Sequence, residues 1–346
     1  MIKIGIAGLG FMGMIHYLAY QKARGVKVAA ICEQDPQRLA GDWRSIKGNF
    51  GPPGQIMDLG DIARYSQLDA LLADPNLDAI DICLPPSLHA STAIAALRAG
   101  KHVFCEKPIA LWPDDAEAMV ETARKAGRLL MIGHVLPFFP EYQFAYRAIS
   151  DGRYGRLLGG YFKRIISDPL WLPDFYNPNT TGGPMVDLHI HDAHFVRLVC
   201  GMPAGVHTIG RMRGEVAELF HTQFVFGDSG PVVAASSGVI MQQGRPFTHG
   251  FEIYLEKATL IFDFATIGKD AHHLPLTVLL ADGQVERPAL GSGDPVDAFA
   301  AEIAEVVEAI RANRPSPVLQ GELARDALVL AHRQTRSLVE KRYVEV

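Results

Sequence analysis

The amino-acid sequence predicts an α/β protein in two parts, a doubly wound parallel sheet followed by an α+β domain with an open, mainly antiparallel sheet. Three observations lead there. A glycine-rich turn, Gly8-Leu9-Gly10-Phe11-Met12-Gly13, joins an apolar strand to an apolar helix. Strand and helix then alternate to about residue 133, which requires parallel strands covered on both faces. From 204 to 285 strand follows strand without a helix between them, the pattern of an antiparallel sheet.

Residues 2–7 run apolar as a buried strand, 14–23 as a helix, and 26–32 as a second strand ending in Glu33. Each glycine has a mechanical role: Gly8 makes the tight turn, Gly10 admits backbone N–H groups close to a pyrophosphate, and Gly13 lets the helix pack on the strand. Phe11 and Met12 lead into a helix whose N-terminal partial positive charge faces the phosphates. Glu33 stands at the interval expected of an acid that takes the adenosine ribose hydroxyls, so this is a Rossmann dinucleotide-binding fingerprint. Glu33 would repel a 2′-phosphate and no arginine immediately follows it, which favours NAD over NADP. Arg38 either stacks on adenine or is a solvated helix residue.

Asp35-Pro36 opens a short helix, and the glycine- and proline-rich stretch 45–61 reads as a surface loop near the adenosine end. Next come a strand at 62–65, a helix at 66–73 and a central strand at 78–84 stopped by Pro85-Pro86. A helix at 87–99 ends at Gly100; a strand at 101–105 is capped by Glu106-Lys107-Pro108; a helix at 113–126 and a strand at 129–133 complete the domain. Ligands of such sheets bind beyond the carboxyl ends of the strands, where Gly8–Gly13, Glu33, Leu84–Ser87 and Glu106–Pro108 all fall.

At His134 the pattern changes, dividing the chain into an NAD(P)-binding domain, 1–133, and a substrate-binding and oligomerisation domain, 134–346. The second holds helices at 141–150 and 184–200, a long strand at 157–167, and a loop at 168–180 rich in proline and aromatics. The strand series and two closing helices, about 295–313 and 321–341, follow.

The 346 residues suffice for two cores, and 38 acidic against 33 basic residues give a net charge of −5. No basic run exists to hold nucleic acid or an anionic membrane surface. Cys32, Cys83, Cys105 and Cys200 lack CxxC spacing and read as small buried hydrophobes in a reducing compartment. No apolar run approaches the ~18 residues of a membrane span, and a strand starting at residue 2 leaves no room for a secretory segment. The expectation is a soluble, cytoplasmic protein.

Two constellations carry chemistry. Lys107 ends a strand at the cofactor edge, where an ammonium could hold a substrate oxygen, or it is a solvated strand-end charge. In a helix at 184–200, Asp187, His191 and His194 share one face while His189 points elsewhere. An aspartate beside an imidazole makes it a better proton acceptor, as alcohol oxidation requires; the alternative is a structural Asp–His pairing. Three histidines and an aspartate so close together also invite a metal, but only three could converge from one helical face, and no metal is expected. His134, Trp171 and Tyr176 are candidate substrate contacts, since aromatics stack on sugar faces, although Trp171 and Tyr176 could instead fasten the loop or an interface.

Along nearly its whole length the chain resembles the glucose-fructose oxidoreductase / inositol dehydrogenase / rhizopine-catabolism (Gfo/Idh/MocA) family. The resemblance rests on GIAGLGFMGMIH at 5–16, DAIDICLPPSLHASTAIAALRAGKHVFCEKPIA at 78–110, TGGPMVDLHIHDAH at 181–194, and the C-terminal RDALVLAHRQTRSLVEKRYVEV. It implies that Lys107, Asp187 and His191 match the catalytic residues, and that Leu84, Pro85, His89 and Glu106 line the nicotinamide side. Thr181, Pro184, His189, His194 and Pro137 depart from the family pattern in regions that face the substrate. The resemblance implies an NAD(H)-dependent oxidoreductase acting on a secondary hydroxyl of a sugar, polyol or sugar derivative, as a homodimer or homotetramer. Two alternatives are an NAD-retaining glycosidase or lyase working through transient oxidation, and a non-catalytic sugar sensor.

Overall fold

The computed structural model describes residues 1–291 and 294–346. Its first part runs β1 (Ile2–Ala7), α1 (Phe11–Lys22), β2 (Val26–Cys32), α2 (Pro36–Leu39), β3 (Ala63–Tyr65), α3 (Leu68–Leu72), β4 (Ala79–Ile82), α4 (His89–Arg98), β5 (His102–Glu106), α5 (Pro113–Ala126) and β6 (Leu130–Gly133). These six strands form one parallel sheet in the order β3-β2-β1-β4-β5-β6. Ile4, Ile6, Ile80 and Ile82 are buried, as strands covered on both faces must be. The strand order reverses between β1 and β4, and a doubly wound sheet takes its ligand in the crevice at that reversal.

The chain continues through α6 (Pro140–Ser150), β7 (Leu157–Ser167), α7 (Ile190–Cys200), β8 (Gly205–Arg213), β9 (Val216–Val225), β10 (Val232–Ile240), β11 (Thr248–Leu255), β12 (Ala258–Ile267), β13 (Asp270–Leu280) and β14 (Val285–Glu286). It closes with α8 (Pro295–Ala312), α9 (Gly321–Glu340) and β15 (Val344–Glu345). Two compact units result, Met1–Phe138 with Ser292–Arg325, and Phe139–Gly291 with Asp326–Val346. The sequence reading places one boundary at 133/134, whereas the chain crosses back and lays α8 against α1. The cause is an apolar stripe on α8, Phe299, Ile303, Val306, Val307 and Ile310, whose burial at helical spacing offsets the cost of the return.

In the second unit nine strands form one sheet, β14-β13-β12-β11-β7-β10-β9-β8-β15. Only β7 and β10 pair in parallel; the remaining neighbours are antiparallel. One face is packed by Tyr142 of α6 and Phe195 of α7 against Phe162 and Phe251 of the sheet. The other face alternates outward and leaves Tyr161, Ile209, Val232, Tyr254 and Leu279 exposed.

The expected single helix at 184–200 is two pieces, a wide π-type turn over Pro184–Leu188 and then α7. Gly182 and Gly183 both take positive φ, Pro184 starts the turn, and the amide of His189 donates to the carbonyl of Pro184 five residues back. Such wide turns are rare and recur at functional sites.

Candidate active site

In the first unit, β1 runs into a turn that only glycine satisfies at two positions. Gly8 has φ +95°, and a Cβ on Gly13 would lie 2.1 Å from the Gly8 carbonyl oxygen, so α1 sits directly on the turn. A Cβ on Gly10 would meet nothing within 4 Å. No side chain caps the first turn of α1, which begins at Phe11 rather than at Met14. The amides of Phe11 and Met12 therefore face open space with the helix dipole behind them, the arrangement that receives a phosphate.

At the end of β2 the Glu33 carboxylate accepts from the amides of Leu9 (2.8 Å), Gln34 (2.7 Å) and Asp35 (3.0 Å), which ties it to the glycine turn. Arg38 lies 3.6 Å from Asp35, so its charge is engaged beside Glu33. The expected surface loop 45–61 is anchored from beneath by the buried Trp43, Ile46 and Leu59, and Phe50 meets the Phe11 ring edge-on at 4.7 Å. Turn, helix N-terminus, acid and open space over Gly10 together fit a dinucleotide.

Beyond β4 and β5 lie Leu84, Pro85 and Glu106-Lys107-Pro108. His89 is buried, with Nδ1 2.8 Å from the Pro108 carbonyl oxygen and Nε2 2.8 Å from that of Leu84. Burial lowers its pKa while the two carbonyls oppose that. The neutral ring has one N–H, so it donates to one of these carbonyls and lies close against the other, between the two strand-end loops. Glu106 uses one oxygen to accept the Lys107 amide at 3.2 Å, and its other oxygen lies 3.0 Å from His16 Nε2. Lys107 itself is partly exposed, and His134, just after β6, is fully buried.

Sequence reasoning gave no role to His16, Asp81 or Glu302, all fully buried in this unit. Among the described residues, the one His/Cys/Asp/Glu group with metal-ligand spacing is His16, Asp81 and Cys83, not the histidines of 189–194. Here the atoms satisfy one another: His16 Nδ1 is 3.0 Å from Asp81 Oδ2, and the Cys83 thiol donates to Asp81 Oδ1 at 3.5 Å. A signal was available, since GFMGMIH puts a histidine on the buried face of α1 and DAID puts an aspartate inside an apolar strand.

In the second unit Asp187 and His191 are partly exposed, while His189, Asp192 and His194 are buried. Asp192 is spent on Arg164, accepting from Nε at 2.7 Å and Nη2 at 3.1 Å. His189 stands edge-on to Phe220, and burial pushes its pKa down to about 4. His194 is fully buried, whereas Asp187 and His191 are only partly so.

The 168–181 loop is cross-braced. The Tyr176 hydroxyl donates to Asp168 at 2.9 Å, Arg213 donates to the same carboxylate at 2.9 Å, and the guanidinium lies 4.0 Å over the Tyr176 ring. Tyr176 thus fastens the loop, whereas Trp171 is exposed at its tip.

Glycine turn, helix N-terminus and carboxyl-end loops define the first unit as a dinucleotide-binding domain of the doubly wound class. The family model described as "Oxidoreductase family, NAD-binding Rossmann fold" matches residues 2–134, and the "GFO/IDH/MocA C-terminal domain" matches 142–261. The chain belongs to the Gfo/Idh/MocA family of NAD-binding oxidoreductases. It is 27% identical to myo-inositol 2-dehydrogenase of Thermotoga maritima, over the whole of this chain and 98% of that protein. It is 26% identical to inositol 2-dehydrogenase of Rhizobium meliloti, over 100% and 99%. Among solved structures, an oxidoreductase from Agrobacterium radiobacter in complex with NAD+, L-tartaric acid and magnesium shares the fold, with a TM-score of 0.80 at 20% identity over 99% of this chain and 98% of that one.

Proposed function

We propose that the protein is an NAD(H)-dependent dehydrogenase that oxidises a secondary hydroxyl of a sugar, polyol or sugar derivative, or runs the reverse reduction. The observation that carries this reading is Lys107 on the loop beyond β5, in the same sheet whose β1 turn fits the dinucleotide. Support for the substrate class comes from the full-length likeness to two inositol dehydrogenases. NAD, when bound, supplies the acceptor for the hydride of the carbinol carbon. Lys107 donates a hydrogen bond to the reacting oxygen and holds it. His191 takes the hydroxyl proton, and Asp187 orients its imidazole and stabilises the charge it acquires. Trp171 contributes an apolar surface for the substrate ring.

Glu33 and the engagement of Arg38 by Asp35 favour NAD over NADP. No helix among the described residues is long and apolar enough to cross a membrane. The exposed sheet face with Tyr161, Ile209, Val232, Tyr254 and Leu279 is proposed to pair with a second copy in a homodimer or homotetramer, which sedimentation velocity would test. The function itself is tested by a panel of sugars and cyclitols with NAD and NADP, read at the reduced-nicotinamide absorbance. Turnover with NAD and one class of polyhydroxy substrate supports it. Sugar release without net reduced nicotinamide would replace it by a transient-oxidation hydrolase or lyase.

A further inference from the structure

Beneath the Lys107 loop the first unit buries more ionisable groups than its fold needs. His16 of α1 has Nδ1 3.0 Å and 3.2 Å from the two oxygens of Asp81 on β4, and Nε2 3.0 Å from Glu106 at the end of β5. Its ring stacks on Phe104 at 5.2 Å and lies tilted against Phe299 of α8 at 6.1 Å, so it cannot turn away from either carboxylate. The Cys83 thiol adds a third contact to Nδ1 at 3.3 Å. Nδ1 is hydrogen-bonded to Asp81, whereas Nε2 and the nearer Glu106 oxygen stand at ion-pair distance without hydrogen-bond geometry, so a charged ring holds Glu106 by Coulomb attraction.

We propose that His16 is a positioning residue for the reaction, clamped between Asp81 and Glu106 so that Glu106 is held against the Lys107 amide and fixes the turn presenting the lysine. The proposal rests on the assignment of Lys107 to the substrate oxygen. Glu106 is the link, since one of its oxygens lies on His16 and the other accepts the Lys107 amide at 3.2 Å. A carboxylate free to swing would let the loop drift, and a misplacement of about 1 Å can cost on the order of 10²-fold in rate.

The groups facing His16 are Asp81 and Cys83 from β4 and its extension, Cys105 and Glu106 from β5, and Glu302 from α8, with Tyr20 of its own helix beside Asp81. Burial alone would lower the His16 pKa, but Asp81 and its other neighbours hold it well above the ordinary value. Burial and the nearby Glu106 push the Glu302 carboxyl well up, so it is neutral and leaves the imidazolium to the other two acids. The Tyr20 hydroxyl and both thiols are likewise pushed up and remain neutral.

The test has two arms. In the first, nitrogen-15 imidazole shifts of His16 are followed from pH 5 to 9 in the protein without substrate. A charged ring at pH 8 is expected, and a neutral ring there overturns the proposal whatever the enzyme does. In the second, turnover against pH is compared for the wild type, His16→Gln, Asp81→Asn and Glu302→Gln. His16→Gln should lower kcat on the order of 10²-fold with NAD affinity little changed. Asp81→Asn, nearly isosteric and informative should His16→Gln fail to fold, should move the alkaline limb to lower pH as His16 loses its charge earlier. Glu302→Gln should leave the profile as in the wild type, whereas full turnover in His16→Gln together with an unchanged profile in Asp81→Asn would overturn the proposal. Lys107→Ala with full turnover would instead overturn the proposed function, and leave the spectroscopic arm to decide on His16.

Discussion

Substituting alanine at Gly10 and at Gly13 separates cofactor binding from folding within one turn. A methyl at Gly13 would stand 2.1 Å from the Gly8 carbonyl oxygen, a backbone atom that can yield only if α1 lifts off the sheet. Overpacking of that kind costs about 1–3 kcal/mol and here also opens the phosphate site. At Gly10 the same methyl meets nothing within 4 Å, and φ −78° is open to alanine. The smaller unfolded-state entropy should stabilise Gly10→Ala by about 0.4–1 kcal/mol. The methyl occupies the open space assigned to the pyrophosphate, so NAD should bind at least about tenfold more weakly, a loss of about 1.4 kcal/mol. Thermal unfolding with and without NAD reads both terms. At a concentration of about 100 times the wild-type Kd, NAD stabilises the wild type by about 2.7 kcal/mol, and at least about half of that should vanish in Gly10→Ala. Gly10→Ala that binds NAD like the wild type would refute the placement of the phosphates over this turn.

Two further outcomes concern stability. Arg164→Met strands the Asp192 carboxylate in the core of the second unit and should cost about 3–5 kcal/mol in urea unfolding; a loss under about 1 kcal/mol would show that the buried pair is not needed. His189 is neutral in the folded protein, with its pKa pushed down to about 4 from an ordinary 6.5, so the unfolded chain binds its proton more tightly. Stability is therefore full above pH 6.5 and falls as the pH drops toward 4, by about 3 kcal/mol from this residue. Buried His249, also lowered by burial, adds to the loss. Unfolding followed against pH should flatten over that window in His189→Gln, and an unchanged slope would count against this cause.

The first unit was legible because each of its signals is local. Gly8, Gly10 and Gly13 sit within six residues, Glu33 ends the next strand, and the strand–helix alternation runs unbroken to β6. The return of α8 was not legible, since an apolar helical stripe says that it is buried but not against what. The split at His189 is not legible because Pro184 reads only as a departure from a family motif, whereas with the positive-φ Gly182 and Gly183 before it, it starts a wide turn. Of the four acid and histidine positions from 187 to 194 that chemistry first suggests, Asp187 and His191 stay partly exposed and His189 and His194 lie in the core. Spacing alone could not make that division. The His16–Asp81–Glu106 contacts join residues 65 and 90 positions apart and emerge only once β4, β5 and α1 are packed together.

The central claim, that Lys107 and His191 act on one and the same hydroxyl, is tested most directly by a double-mutant cycle. Single-turnover reduction of NAD would be measured for Lys107→Ala, His191→Ala and the double variant, with the most active compound of the panel. Each single substitution should slow the step by about 10²–10⁴-fold, and the double should be little slower than the worse single, as residues acting as a unit are. Losses that multiply to their full product, or a His191→Ala enzyme as fast as the wild type, would contradict the account.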